Sequence, residues 1–237
     1  MTSSRGRSPE QETSKSSRRL RSSLKPSAIL WDLDGTIVDG ASAIHDAFEH
    51  ALRERGHPAV PRAQVATRIG IPLRLMFRDL LGVDDRESAA LVMCYRSRFE
   101  EMAPTLVRPT LGLEAALAAF DGVPMAVVTT KAVEPARTVL KALGIDARFS
   151  TIVGVDTVRR PKPDPEGARV ALARLDAGAM HAVFVGDTVM DVLAGKGAGT
   201  RTIAVLNGHG DADELEACAP DALIPDLSKL AEAVHLL

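Results

Sequence analysis

Two aspartates separated by one leucine, Asp32 and Asp34, are the residues of this sequence best suited to chemistry. They lie in the stretch A-I-L-W-D-L-D-G-T-I-V, whose apolar start has the length of a buried strand and whose glycine permits a tight turn. Two carboxylates about 4 Å apart repel by roughly 4 kcal/mol at an effective dielectric of about 20, so a buried pair requires a divalent cation, a proton or both. Taken alone, the stretch also fits a strand followed by an Asp-Gly turn whose acids face water.

Polar side chains also follow three later apolar runs or turns. The run ending V-V-T-T-K presents Thr129 and Thr130, and the run V-F-V-G ends at Asp187, with Asp191 one helical turn later. Between these runs, prolines at 161, 163 and 165 stiffen the backbone around Lys162. Each feature alone also fits an ordinary strand end, a solvated loop or a helix cap, but their order places all of them at the carboxyl ends of strands. Acidic side chains there suit Mg²⁺, whereas lysine and hydroxyl groups suit phosphate oxygens.

Alternating strands and helices must position these residues. Apolar runs predict strands at 28–33, 125–129, 152–153, 182–185, 202–205 and 222–224, with helices at 111–120, 135–143, 164–174, from about 189, and at 228–235. This order predicts an α/β fold with a doubly wound, mostly parallel sheet. Helical patterns without a convincing strand follow the first strand. We therefore expect an α/β core of residues 28–40 and 106–237, with a small inserted helical cap at 41–105 that serves as a lid.

Composition restricts the class of protein. The 237 residues are 46% hydrophobic and 25% charged, as in an ordinary globular protein, and residues 1–27, rich in Ser, Arg and Lys, predict a disordered basic tail. A formal net charge of −2 and 3% aromatic residues argue against nucleic acid or membrane as a general partner. The two cysteines, Cys94 and Cys218, give no disulfide framework, and no secretory signal is recognisable, which favours the cytoplasm.

These segments together resemble the haloacid dehalogenase superfamily of aspartate-nucleophile hydrolases. The stretch Asp32-Leu33-Asp34-Gly35-Thr36 looks like its first motif, Thr129 like its second, Lys162 like its third, and Gly186-Asp187 with Asp191 like its fourth. The resemblance runs from about residue 28 to the C-terminus and includes the position of a helical cap of the C1 type. It implies a Rossmann-like core and a phosphoric monoester hydrolase, because dehalogenases proper lack the second acid of the first motif.

The resemblance also implies a role for each site residue. Asp32 is expected to attack phosphorus and form an aspartyl-phosphate, while Asp34 exchanges protons with the leaving oxygen and with water. Lys162 and Thr129, with backbone N–H groups near Thr130, are expected to hold the phosphate oxygens. The expected cofactor is Mg²⁺, held by Asp32, by the backbone carbonyl of Asp34 and by Asp187, whereas Asp191 orients Lys162 or a metal-bound water.

Several substrates remain open at this point. The closest likeness is to phosphoglycolate phosphatases, through segments 68–77 and 105–112 and the G-H-G of 208–210, but T-T-K also resembles a bacterial pyrophosphatase. Sugar-phosphate and secondary-metabolite phosphatases fit equally, a mutase of the β-phosphoglucomutase kind shares the core, and a phosphoacceptor signalling domain is the non-enzyme alternative. Specificity is expected from cap residues Arg68, Gly70 and Pro72, with Arg74 a further candidate. The expected partner is a small phosphorylated molecule, and the protein is expected to be a monomer or homodimer.

Overall fold

The computed structural model describes residues 25–237, and its centre is a parallel sheet of six strands. The strands, numbered along the chain, are β1 (Ala28–Trp31), β2 (Val38–Asp39), β3 (Arg108–Pro109), β4 (Met125–Val128), β5 (Thr151–Val153), β6 (Ala182–Gly186), β7 (Arg201–Val205) and β8 (Ala222–Ile224). The large sheet has the spatial order β5-β4-β1-β6-β7-β8, whereas β2 and β3 form a separate antiparallel pair. The predicted doubly wound parallel sheet is therefore confirmed.

Helices cover both faces of the large sheet and form the insert. They are α1 (Ala41–Glu54), α2 (Arg62–Ala66), α3 (Leu73–Leu81), α4 (Asp85–Leu106), α5 (Leu113–Ala119), α6 (Val133–Ala142), α7 (Glu166–Arg174), α8 (Val189–Ala198), α9 (Ala212–Ala217) and α10 (Leu230–Leu236). The predicted helices agree with these within a few residues. Within the insert, helical spacing predicts helices around 63–68, 73–81 and 86–102, and α4 differs because it continues to Leu106 although Pro104 lies inside it. No helix was predicted for α9.

Strand β1 lies in the middle of the sheet because both of its faces are apolar. Ile29 and Trp31 pack into the larger core cluster on one face, and Ala28 and Leu30 pack into a second cluster on the other. All four side chains are fully buried. A strand buried on both faces is typical of a parallel sheet covered by helices.

The order of the strands reverses at β1, and this reversal positions the site. The chain passes from β1 to β4 and β5 on one side, and only then returns to place β6 against the other side of β1. In doubly wound sheets, ligands bind outside the carboxyl ends of the strands at such a switch point. Asp32 and Asp187 directly follow β1 and β6 and therefore meet at this crevice.

The helical insert holds its own aromatic core. Helices α1 and α4 pack along each other, and Phe48 stacks on Phe77 with ring centroids 4.6 Å apart. Tyr95 meets Phe77 edge-on at 6.4 Å and stacks on Phe99 at 5.7 Å. Such pairs contribute about 0.5–1.5 kcal/mol each beyond burial of their area. An aromatic-poor chain thus places four of its eight aromatic residues in this one row.

Both connections between the insert and the sheet pass through the short pair β2 and β3. Val38 pairs with Pro109, and Asp39 pairs with Arg108. Thr110 then donates through Oγ1 to the Thr36 carbonyl oxygen at 2.5 Å. The division into a core of 28–40 and 106–237 and a cap of 41–105 stays a prediction, which this two-point attachment supports.

Residues 1–24 of the predicted basic tail lie outside the described part of the chain. Ser27 is already fixed to the core, because its N–H donates to the His181 carbonyl oxygen at 2.8 Å and its hydroxyl donates to the Gly178 carbonyl oxygen at 2.9 Å. Over residues 25–237, no helix combines the length and the apolar character needed to cross a bilayer. Both cysteines carry free thiols.

Candidate active site

The first acid follows β1 without a break in the sheet. Asp32 donates its N–H to the Val185 carbonyl oxygen at 2.9 Å, which continues the pairing of β1 with β6 by one residue. The turn that follows requires glycine at position 35, where φ is +91°. A Cβ atom there would lie 2.1 Å from an Asp187 carboxylate oxygen. The glycine therefore allows the two strand ends to approach each other closely.

Lys162 reaches the same place from the proline-rich loop before α7. Its Nζ donates to Asp32 Oδ1 and to Asp191 Oδ1, the second at 2.5 Å, and the side chain is buried. Burial acts to lower the pKa of Lys162, but the carboxylates of Asp191 and Asp32 outweigh it and raise that pKa above its ordinary value. Lys162 is therefore a permanent cation in contact with the proposed nucleophile.

Asp187 is held from two sides at the end of β6. The Thr36 hydroxyl donates to Oδ1 at 2.7 Å, and the His209 backbone N–H donates to Oδ2 at 2.7 Å. Burial, followed by the charge of Asp191, raises the pKa of Asp187 to about 6 despite these hydrogen bonds. Gly208 lies against the same side chain, where a Cβ atom would stand 2.3 Å from its Cβ. The G-H-G segment thus contributes to the site by closing around Asp187.

Asp191 links the beginning of α8 to Lys162. Its Oδ2 accepts the N–H of Thr188 at 3.0 Å and the Thr188 hydroxyl at 2.6 Å, which completes a capping box, while Oδ1 accepts from Lys162. The side chain is 1% exposed. Both of its oxygens have donors, so the helix cap fixes the carboxylate that orients Lys162.

Three of these carboxylates form a group that fits a metal ion. One oxygen from each of Asp32, Asp187 and Asp191 lies within 4.8 Å of the others, and all three residues are buried. Burial and then the Asp191 charge raise the pKa of Asp32 well above its ordinary value, with Lys162 opposing and Asp187 adding to the shift. Crowded oxygen donors with surplus negative charge suit a hard divalent cation. The predicted metal ligands were the Asp32 and Asp187 carboxylates and the backbone carbonyl of Asp34. The group contains both of these carboxylates and adds that of Asp191, while the Asp34 carbonyl stays a prediction.

The Asp34 carboxylate turns towards the helical insert. Its Oδ2 lies 3.1 Å from Lys131 Nζ, and that ammonium group stands 4.3 Å above the ring of Phe99 on α4. Its Oδ1 is buried and has no hydrogen-bond partner among residues 25–237. A buried carboxylate oxygen without a partner is costly unless a ligand supplies one. This oxygen is therefore free to exchange a proton with a bound substrate.

The two threonines at the end of β4 have different surroundings. Thr129 accepts the N–H of Lys131 on its hydroxyl oxygen at 3.1 Å, which leaves its hydroxyl proton free for an anion. The Thr130 hydroxyl instead donates to the Gly70 carbonyl oxygen of the insert at 2.8 Å. Of the two threonines predicted to bind phosphate, only Thr129 keeps its hydroxyl proton available, because the Thr130 hydroxyl joins the sheet to the insert.

The insert covers the strand ends and encloses a cavity of about 400 Å³. Gly70 and Pro72 line this cavity, as does Arg74, whereas the side chain of Arg68 is exposed and does not line it. Asp34 and Thr130 form part of its floor. Three of the four residues suggested for specificity therefore line the same cavity as Asp34.

Sequence reasoning missed how several neighbours serve the site. Lys131 appeared only as part of T-T-K, and its pairing with Asp34 depends on a fold that brings two strand ends together. Thr188 precedes an acid at helix-cap spacing, which is a recognisable pattern. Phe99 carries no motif, and only the packing of α4 reveals its contact with Lys131.

Comparison with known proteins agrees with this geometry. A family model described as "Haloacid dehalogenase-like hydrolase" matches residues 29–205. The chain is 37% identical over 220 residues to "Probable phosphatase IndB" of Dickeya dadantii (strain 3937), covering 90% of this chain and 95% of that protein. It is 35% identical over 211 residues to "Pyrophosphatase PpaX" of Bacillus velezensis, covering 88% and 95%. It is 31% identical over 215 residues to a "Phosphoglycolate phosphatase" of Yersinia pestis, covering 88% and 93%.

A solved structure shares the fold. The crystal structure of a predicted phosphatase from Clostridium acetobutylicum superimposes with a TM-score of 0.81, and the match covers 90% of this chain and 100% of that one. At 22% sequence identity, this likeness establishes the architecture alone.

Proposed function

Because the chain belongs to the haloacid dehalogenase-like hydrolases, we propose that it is a phosphatase that moves the phosphoryl group of a small phosphate ester first to Asp32 and then to water. The observation that carries the proposal is the contact of Lys162 with both Asp32 and Asp191 beside the metal-binding group of acids. An ammonium ion fixed against a nucleophilic carboxylate offsets the repulsion that an incoming phosphate dianion meets. The same enzyme class is indicated by three relatives named as phosphatases.

Asp32 is the proposed nucleophile. A carboxylate oxygen of Asp32 forms a bond to phosphorus while the bond from phosphorus to the alcohol oxygen breaks. Water then attacks the phosphorus atom of the aspartyl-phosphate, which releases inorganic phosphate and restores the carboxylate. Splitting the reaction in this way replaces one difficult displacement with two easier ones.

Asp34 is the proposed general acid and base. In its protonated form it gives the proton to the leaving alcohol oxygen, and in its ionised form it takes a proton from the attacking water. The partnerless Oδ1 supports this assignment, since it accepts no protein donor among residues 25–237, and Asp34 is one of the residues that line the cavity. Lys131 holds the opposite oxygen and so fixes the orientation of the group.

The remaining residues bind and orient the phosphate. Lys162, which reaches Asp32 from the loop before α7, and the Thr129 hydroxyl at the end of β4 donate to the oxygens that gain negative charge in the transition state. Asp32 and Asp187, with Asp191 beside them, would hold Mg²⁺. When bound, Mg²⁺ supplies charge neutralisation at the phosphoryl group.

A phosphatase assay with purified protein and Mg²⁺ tests the proposal directly. We expect release of inorganic phosphate from small phosphate esters, and a loss of at least a thousandfold in Asp32→Asn. Asp39→Asn is the matched control, because Asp39 lies on β2 near the same rim but its side chain is exposed. Equal activity of both variants would contradict the assignment. Release of free phosphate, as opposed to transfer to a second sugar hydroxyl, separates the phosphatase from a mutase.

The cellular setting follows from the same proposal. We place the enzyme in the cytoplasm, as a monomer or homodimer acting on a small phosphorylated metabolite. The two free thiols and the formal net charge of −2 support this placement.

A further inference from the structure

We propose that the cavity beneath the helical insert binds an uncharged, largely apolar alcohol group of about the size of one ring system. This inference rests on the proposed phosphatase function and specifies its substrate class. It separates this chain from enzymes whose substrate presents a second anion beside the phosphate, such as the carboxylate of phosphoglycolate or the second phosphate of pyrophosphate.

The wall of the cavity is the first argument. Apolar side chains from the segment before α3, from α3 itself and from α4 form most of it, among them Ile71, Leu73, Met76, Val92 and Met93. The volume of about 400 Å³ lies within the range of about 300–1,000 Å³ found for small-molecule sites. A two-carbon acid would leave most of this apolar surface against water. A ring system would remove much of that surface from water.

The polar groups on the wall already have partners in the protein. Lys131 is paired with Asp34 and lies over the Phe99 ring. The Thr130 hydroxyl donates to a backbone carbonyl, and Arg74 donates through Nη2 to the Asp85 carbonyl oxygen at 3.0 Å. Only the Lys131 charge is balanced by a carboxylate, so a second anion would have to displace Asp34 from Lys131 or contact Arg74, which is exposed and whose attraction for an anion is therefore weakened by water and salt.

One cation on the wall stands apart from these pairs. Arg96 lines the cavity, but its side chain is exposed to solvent. A contact between an exposed arginine and a substrate carboxylate would be weakened by water and salt. Arg96 therefore does not turn the apolar cavity into an anion site.

The cavity is continuous with the catalytic residues, which fixes where the alcohol lies. Asp34 forms part of its floor, and the proposed proton transfer places the leaving alcohol oxygen beside this carboxylate. The carbon skeleton attached to that oxygen then extends towards Leu73, Val92 and Met93. The apolar wall and the reacting bond are thus parts of one site.

Three alkyl phosphates with comparable leaving groups test size and charge separately, and pyrophosphate adds a second phosphate on a better leaving group. We would measure kcat/KM and KM with Mg²⁺ for 2-phenylethyl phosphate, ethyl phosphate, phosphoglycolate and pyrophosphate. We expect 2-phenylethyl phosphate to exceed ethyl phosphate at least tenfold in kcat/KM through size alone. Phosphoglycolate should not exceed ethyl phosphate, since the least exposed cation on the wall, Lys131, is already paired. A higher kcat/KM for phosphoglycolate than for 2-phenylethyl phosphate, or a lower KM for pyrophosphate, would overturn the inference.

A charged side chain introduced on the apolar wall tests whether the substrate contacts that wall, and the same substitution elsewhere serves as the matched control. Val92→Glu should lower kcat/KM for 2-phenylethyl phosphate at least fivefold, whereas Val170→Glu should leave it unchanged. Both valines are half-buried on helices, but Val170 lies on α7 and is not a lining residue. Equal values for the two variants would contradict the assignment of the wall.

A binding measurement keeps this inference separate from the catalytic proposal. Asp32→Asn with Mg²⁺ should bind 2-phenylethyl phosphate at least tenfold more tightly than phosphoglycolate in isothermal titration calorimetry. If that preference is found while the wild-type protein hydrolyses none of the four substrates, the phosphatase proposal fails and the cavity assignment stands. If hydrolysis occurs without any such preference, the cavity assignment fails.

Discussion

The hydrogen bond from the Thr130 hydroxyl to the Gly70 carbonyl oxygen allows a quantitative test of how the insert meets the sheet. It is 2.8 Å long and is the contact that Thr130→Val removes with little change in shape. A hydrogen bond of this kind contributes about 1 kcal/mol, which corresponds to roughly a fivefold change in an equilibrium constant. We therefore expect kcat/KM of Thr130→Val to fall by about fivefold, because the arrangement that encloses the substrate becomes less populated.

Two further variants serve as controls for Thr130→Val. Thr130→Ser keeps the hydroxyl and should retain wild-type kcat/KM within about twofold, on the scale of the same 1 kcal/mol bond. Thr138→Val removes a comparable bond to the Glu134 carbonyl oxygen, 3.1 Å long, which is exposed and lies within helix α6, and it should have no effect on activity. A loss of a hundredfold or more in Thr130→Val would refute the reasoning and show that this hydroxyl holds phosphate in the transition state. No loss at all would show that the contact does not position the insert.

Three other expectations concern the acids. Gly208→Ala should disturb Asp187, since its Cβ would stand 2.3 Å from the Asp187 side chain, and it should weaken Mg²⁺ binding in calorimetry while Gly178→Ala, with open space around it, does not. Thermal denaturation should show that Mg²⁺ raises Tm more at pH 7.5 than at pH 5. The pKa of Asp187 is raised to about 6, so the stability that its protonated form gives the metal-free protein is lost as pH rises through 6. Below that pH, Mg²⁺ must displace a proton from Asp187. An equal rise in Tm at both pH values would contradict this. Asp32→Asn should raise Tm of the metal-free protein, because it removes a buried charge that burial and Asp191 disfavour, and a lower Tm would reject that view.

The core of the site could be predicted from the sequence because its geometry follows from few rules. Residues that end parallel strands share one edge of the sheet, so the positions of Asp32, Thr129 and Asp187 required only correct strands and their order. Lys162 was found through the prolines around it and through the family resemblance. The sequence does not predict which hydrogen-bond donor each carboxylate contacts, because that depends on the directions of the side chains in the crevice.

The insert was predictable as helices and much less so as a binding surface. Helical spacing located α1, α3 and α4 because apolar periodicity reports which face is buried. It does not report what the opposite face meets. The Thr130 hydroxyl binds the insert whereas the Thr129 hydroxyl does not, and Lys131 contacts Phe99. Both features depend on how the insert lies on the sheet, which no local sequence pattern encodes.

The balance of charge at the crevice supports both proposals, a bound divalent cation and selection against a second anion on the substrate. Four carboxylates (Asp32, Asp34, Asp187 and Asp191) and two ammonium groups (Lys131 and Lys162) leave a net charge of −2 when all are ionised. A single divalent cation cancels this surplus, and the phosphate then brings new negative charge to groups that are already balanced. Because the cavity beyond Asp34 adds only exposed or already paired cations, a further anion on the alcohol would remain uncompensated there. One metal ion and one phosphoryl group therefore occupy the charged groups at the strand ends. The apolar wall beyond Asp34 suits the uncharged part of the substrate.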